Sequence, residues 1–119
     1  MKTVVLGAST HPSRYSFLAI NLLRKHGHEV IAVGRDKGVV GDVEIKGDMP
    51  GKEDNIDTFT MYLNPAHQKM YYDKILAAHP RRIIFNPGAE NAELVKLAKE
   101  KGIQSEYACT LVLLNTGQY

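Results

Sequence analysis

A chain of 119 residues has the usual length of one domain, and its 44% hydrophobic and 24% charged residues lie near globular averages, which excludes a disordered chain or a coiled coil. Its 15 basic and 13 acidic residues leave a net charge of +2, with no basic run longer than Arg24-Lys25 or Arg81-Arg82, so there is no nucleic-acid footprint. No window of about 20 apolar residues suits a membrane span and no signal peptide precedes the first strand, so a cytoplasmic location without a membrane partner is expected.

In chain order, Thr3-Val4-Val5-Leu6-Gly7 is an apolar, β-branched run stopped by glycine and reads as a strand buried on both faces. From Ser16, Phe17, Leu18, Ile20, Leu22 and Leu23 recur near helical spacing, and Arg24, Lys25 and His26 before Gly27 form a cationic last turn with a glycine stop. Glu29 to Gly34 is a second buried strand. The stretch from Arg35 to Asn55 carries Gly38, Gly41, Gly47, Pro50 and Gly51, too many breakers for a helix, and reads as an irregular crossover. Ile56 to Leu63 is the third strand; Asn64-Pro65 then caps a helix running to about Ala78. Arg82 to Phe85 is the fourth strand, Asn91 caps a helix that stops at Gly102, and Ile103 to Ala108 is the fifth strand, with a short helix or cap after it. Alternating strands and helices predict one α/β domain over residues 1–119: a Rossmann-like, doubly wound, five-stranded parallel sheet in the order 3-2-1-4-5, with helices on both faces.

Ligands of such sheets sit past the strand C-termini, where the strand order reverses. After strand 1 comes Gly7-Ala8-Ser9-Thr10-His11-Pro12-Ser13-Arg14. Glycine lets this turn run close to a ligand, and the amides opening the first helix suit a phosphate. The turn is similar to a dinucleotide fingerprint whose second and third glycines are replaced by Ser9 and Pro12; an ordinary strand-to-helix turn is the alternative. No glycine-lysine-serine/threonine follows, which excludes a P-loop, and Ser9 lacks the glycine of a hydrolase nucleophile elbow. Strand 2 ends in Val33-Gly34-Arg35, where an NAD enzyme places an acidic residue. An arginine there suits a ribose bearing an extra phosphate, as in NADP or coenzyme A, with Asp36 beside it as a ribose partner. Asn64-Pro65 and Asn86-Pro87-Gly88-Ala89 put amides and tight turns at the other strand ends, and Asn64 and Asn91 also serve as caps. His67 reads as a surface residue. A lone Cys109 excludes an internal disulfide and a multi-cysteine metal site. His11, His26, His28, His67 and His79 are too dispersed for a zinc site.

Gly7-Ala8-Ser9 with Pro12 and Arg14, the crossover around Gly41, Asn64, Gly88 and Cys109 together resemble the small bacterial CoA-binding domain proteins, whose fold is similar to the N-terminal domain of the succinyl-CoA ligase α subunit. The resemblance runs from strand 1 to Cys109. It implies that coenzyme A or an acyl-CoA is held by the loops after the first four strands. The candidate ligand-binding residues are then Gly7, Ala8, Ser9, Pro12, Ser13, Arg14, Val33, Gly34, Arg35, Leu63, Asn64, Asn86, Pro87, Gly88 and Cys109. Relatives carry Asn-Pro where this chain has Gly34-Arg35, an arginine where it has Leu63, and a basic residue where it has Ala108. Phosphate recognition is thereby shifted onto Arg14 and Arg35.

The resulting expectation is a module that binds a nucleotide ligand and performs no chemistry of its own, with an unidentified protein partner left open. A small NADP-dependent reductase is the enzyme alternative, although Tyr71 and Lys74 are three apart where a Tyr-x-x-x-Lys pair needs four. A scaffold with a decayed nucleotide site is the other.

Overall fold

The structure is a computed structural model that describes residues 1–119. Lys2–Leu6 forms β1, and its last four residues are fully or almost fully buried, the outcome favoured for β-branched residues in a sheet covered on both sides. Helix α1, Tyr15–Lys25, ends with Arg24 and Lys25 against the negative end of its dipole. Strand β2, Glu29–Val33, returns to pair with β1 in parallel from Lys2↔Glu29 to Leu6↔Val33.

The crossover is more ordered than its glycines suggest. Gly38–Val40 (β3) and Val43–Lys46 (β4) form an antiparallel hairpin around Gly41-Asp42, with Gly41 at φ +61° as the first central residue of a two-residue turn. Val40, Val43 and Ile45 point inward while Val39, Glu44 and Lys46 are exposed, the alternation of a half-buried ribbon. Strand β4 extends the parallel sheet beyond β2 through Ala32↔Ile45 and Val33↔Lys46. The next strand, β5 (Thr58–Met61), therefore takes the other flank of β1, followed by β6 (Arg82–Phe85) and β7 (Gln104–Tyr107). The sheet has seven strands in the order β3-β4-β2-β1-β5-β6-β7, antiparallel at β3–β4 and parallel elsewhere. This corrects the five-stranded, all-parallel 3-2-1-4-5 arrangement, because the hairpin occupies the position beside β2. With β3 set aside, the parallel strands follow the Rossmann order 3-2-1-4-5-6, and the reversal falls between β1 and β5.

The helix expected from Asn64 to Ala78 is divided into α2 (Pro65–Gln68), a 3₁₀ turn over Lys69–Tyr71 and α3 (Tyr72–Ala78). Helices α4 (Ala92–Glu100) and α5 (Thr110–Asn115) complete the chain, and no helix is long and apolar enough to cross a membrane. Side chains alternating along the strands build a core on each face. Val4, Leu6, Phe59, Met61, Ile83 and Phe85 lie with Ile75, Leu94 and Ala98, whereas Val5, Ala32 and Ile45 lie with Ile20, Leu23 and Leu114. On the second face β5 and β6 bury Thr58, Thr60 and Arg82: Thr60 Oγ1 bonds Thr110 Oγ1 at 2.7 Å and Arg82 Nε donates to Thr58 Oγ1 at 2.8 Å, while Arg82 Nη2 is buried without a partner.

The loop leaving β1 is seated on the end of β2. The Val33 carbonyl accepts the N–H of Gly7 at 2.9 Å and that of Ala8 at 3.0 Å. Gly7 has φ +98°, and a Cβ on it would lie 3.0 Å from the Tyr62 carbonyl carbon; a Cβ on Gly34 would lie 2.4 Å from the Ala8 carbonyl oxygen. Both glycines permit close backbone contact within the fold. Gly34→Ala must push this loop off β2 and should lose about 1–3 kcal/mol, the range for overpacking a tight site. Gly47 is the control, because its φ is not positive and a Cβ on it would meet nothing within 4 Å. Gly47→Ala should be neutral or gain up to about 1 kcal/mol by restricting the unfolded chain, as urea titrations of both variants will show.

At the opposite strand ends Asp57 ties β5 to β6. Its carbonyl accepts the N–H groups of Arg81 and Arg82, and its carboxylate accepts Arg81 Nε at 2.7 Å, Arg81 Nη2 at 3.2 Å and Thr58 Oγ1 at 2.6 Å. Burial pushes this carboxyl up, but hydrogen bonds from Arg81 and Thr58 and the charges of Arg81 and Arg82 outweigh it and hold the carboxyl below its usual range. A carboxyl with a lowered folded pKa stabilises the fold above its unfolded value of about 3.9, and that contribution disappears as pH falls through the folded value. Asp57→Asn should therefore lower stability at pH 7 by about 1–2 kcal/mol and lose less on acidification than the parent does. Urea midpoints at pH 7 and pH 3 for both proteins measure this difference.

Candidate ligand-binding cleft

A cleft of about 630 Å³ opens where the C-terminal ends of β1, β2, β5 and β6 meet the reversal of strand order. Such a volume suits a small-molecule site. Of the residues expected from the sequence, Gly7, Ala8, Ser9, Arg14, Val33, Gly34, Arg35, Leu63, Asn64, Pro87 and Gly88 line it. Pro12, Ser13, Asn86 and Cys109 lie outside its lining. Asp36, read from the sequence as a ribose partner, and Ala89 of the turn after β6 also line it, and the fold adds Tyr15, Ser16, Tyr62, His67, Met70 and Tyr71. Tyr15 and Ser16 are not singled out by the sequence, and Met70 and Tyr71 give no signal because the helix break that brings them to the cleft is not marked by glycine or proline.

The β1 side offers donors without internal partners. Arg14 is the N-cap residue of α1, but its side chain makes no capping bond, and the first turn holds no acidic residue. The exposed amide dipoles of such a turn favour an anion. Helices α2 and α4 are capped instead, Asn64 Oδ1 accepting from the His67 N–H at 3.0 Å and Asn91 Oδ1 from the Leu94 N–H at 3.2 Å. Since the Gly7 and Ala8 amides serve Val33, the unpaired N–H of the turn that lines the cleft is that of Ser9, whose hydroxyl accepts from the His11 N–H at 3.0 Å. Arg14 and Arg35 are exposed, and neither forms a salt bridge. Asp36 stands next to Arg35 in the cleft lining.

Buried amides hold the β5 and β6 side in place. Gln68, fully buried, donates from Nε2 to the Leu63 carbonyl at 2.7 Å and to the Ala89 carbonyl at 2.8 Å, which joins the loops after β5 and β6. Its Oε1 accepts from Asn91 Nδ2 at 2.8 Å, and the same nitrogen donates to the Tyr72 hydroxyl at 2.8 Å. Asn86 works similarly beneath the cleft, donating to Thr60 Oγ1 at 2.7 Å and the Met61 carbonyl at 2.9 Å and accepting from the Thr110 N–H at 2.8 Å. Its side chain is thus engaged in joining β5, β6 and α5. Cys109 is half-buried at the N-cap of α5.

Among groups able to move a proton, burial raises the Tyr62 pKa to about 12, which keeps this phenol protonated at neutral pH. Ser13 Oγ and His11 Nδ1 lie 2.7 Å apart, but both residues are exposed outside the cleft, and no carboxylate orients the ring. A nucleophile–base pair requires that third group for its activated geometry. The pair therefore serves as a local brace of the loop before α1.

Over residues 1–115 the chain matches a protein family described as a CoA binding domain. No curated protein sequence matches it. Among solved structures, the crystal structure of an uncharacterized protein is 45% identical with a TM-score of 0.91, the match covering 99% of this chain and 97% of that one. A protein from Thermus thermophilus shares 22% identity with a TM-score of 0.85, over 99% and 90% of the two chains. A hypothetical protein from Pyrococcus horikoshii shares 21% identity with a TM-score of 0.84, over 96% and 81%. These two distant likenesses establish a common fold. The family match spans every strand and every loop of the cleft, and the chain belongs to the CoA-binding domain family.

Proposed function

We propose that this chain binds coenzyme A across the C-terminal edge of its sheet and acts as a carrier, sensor or accessory subunit without converting the ligand. The observation that carries this reading is the convergence, at the strand-order reversal, of the uncapped start of α1 with two unpaired arginines, Arg14 and Arg35. Helix amides and the Ser9 N–H suit a pyrophosphate, which needs several donors without competing carboxylates. Arg35 at the end of β2 suits the phosphate on the adenosine ribose, and Asp36 a ribose hydroxyl. Bound coenzyme A would supply a thiol that carries acyl groups as thioesters. The protein's contribution in this reading is to orient it.

Because a ligand that binds only the folded state stabilises it by mass action, coenzyme A at a hundredfold excess over its Kd should add about 2.7 kcal/mol and raise the melting temperature by several degrees. NAD should produce no comparable shift. Equal shifts with the two ligands would refute the reading.

Loss of one charge-assisted phosphate contact is worth about 1.5–3 kcal/mol, so Arg35→Ala should weaken coenzyme A binding roughly ten- to a hundredfold and barely change that of dephospho-coenzyme A. Calorimetric titration of parent and variant with both ligands measures the contrast. The acidic Asp36 beside Arg35 also fits a dinucleotide, and NADP titrated in parallel tests that second reading: tighter binding of NADP than of coenzyme A would favour a reductase.

A further inference from the structure

We infer that the uncharged half of this cleft receives the acyl chain of an acyl-CoA, so that the preferred ligand is a medium-chain thioester rather than free coenzyme A. The inference rests on the coenzyme A reading above and extends it to the class of acyl group. Charge divides the cleft by element. The arginine and aspartate residues of its lining, Arg14, Arg35 and Asp36, all follow β1 or β2, while its lining after β5 and β6 includes Leu63, Met70, Tyr71 and Pro87; the nearest charges there, Lys69 and Glu90, lie outside the lining, and Glu90 is engaged with the Gly88 N–H at 2.9 Å.

Met70 is 75% exposed, more than any other large hydrophobic residue in the chain. It lies on the 3₁₀ turn between α2 and α3, whose neighbours Gln68 and Ile75 are both fully buried, so the helices are anchored on either side of a projecting apolar side chain. An unbranched thioether adapts readily to a flexible chain. With phosphates at the start of α1 and the adenosine end at Arg35, the rest of the ligand must cross β1 toward β5 and β6. Polar pantetheine meets Asn64 and His67 there, and the apolar surface of Met70, Tyr71 and Pro87 is left to the group carried on the thiol. An acyl chain covers it and is itself shielded from water.

Calorimetric titration of the intact protein with coenzyme A, acetyl-CoA and hexanoyl-CoA tests this. A half-covered methylene is worth roughly twofold in affinity, so hexanoyl-CoA, four methylenes longer, should bind about fifteenfold more tightly than acetyl-CoA. In Met70→Ser, an exposed substitution, that ratio should fall below about threefold. Equal binding of all three ligands by the parent would overturn the acyl inference and leave the coenzyme A reading standing, whereas binding of none would refute the coenzyme A reading itself. A parent dimer that becomes monomeric in Met70→Ser, with no dependence on chain length, would assign the apolar half to a second copy of this chain and overturn the inference.

Discussion

The carbonyl of Val33 accepts two hydrogen bonds from the loop that leaves β1, and the geometry of the cleft depends on that seat. Two adjacent N–H groups can share one acceptor only if the loop folds down on the end of β2, and this requires Ala8 to approach Gly34 more closely than any side chain would permit. Gly7, with its positive φ, brings the same loop against the Tyr62 backbone just past β5. Three strand ends are thereby locked together around the reversal of strand order. The glycines shape the floor of the cleft by admitting protein backbone, and the first amide of this loop left without a partner in the cleft is that of Ser9.

The far wall depends on buried amide side chains. Loops after parallel strands have no ladder partner of their own, so their carbonyls must be satisfied from elsewhere. Gln68 does this for Leu63 and Ala89 at once, and Asn86 joins Met61, Thr60 and the start of α5. Such fully connected networks fix the spacing of the loops they join, because a slipped loop leaves a buried donor or acceptor unpaired. The wall carrying Leu63, Pro87 and Gly88 is therefore rigid, whereas the wall formed by Arg14 and Arg35 consists of exposed side chains free to close on a ligand.

Together the two walls make a cleft with a polarity axis. Unpaired cations and open helix amides stand at one end, and an exposed methionine with partly buried aromatic and aliphatic neighbours stands at the other. The ligand we propose, with a phosphorylated head, a flexible amide-bearing arm and an apolar tail, would lie along that axis.

The sequence by itself determined the local signals. Apolar β-branched runs read as strands because burial on both faces demands them; Asn64 and Asn91 read as caps because their side chains imitate a backbone acceptor; the turn after β1 and Arg35 read as ligand-facing because strand ends define the site. Even the hairpin was encoded, in the alternation from Val39 to Lys46, but glycine punctuation masked a ribbon that only acquires meaning when Val40, Val43 and Ile45 find the core beside β2. What the tertiary structure decided was adjacency. Which flank of β1 receives β5 depends on β4 having taken the other, which no local pattern reveals. The positions of Gln68, Asn86 and Met70 depend in the same way on distant partners: only the packing of loops separated by some twenty residues in sequence makes the two amides buried braces and leaves the thioether exposed at the cleft.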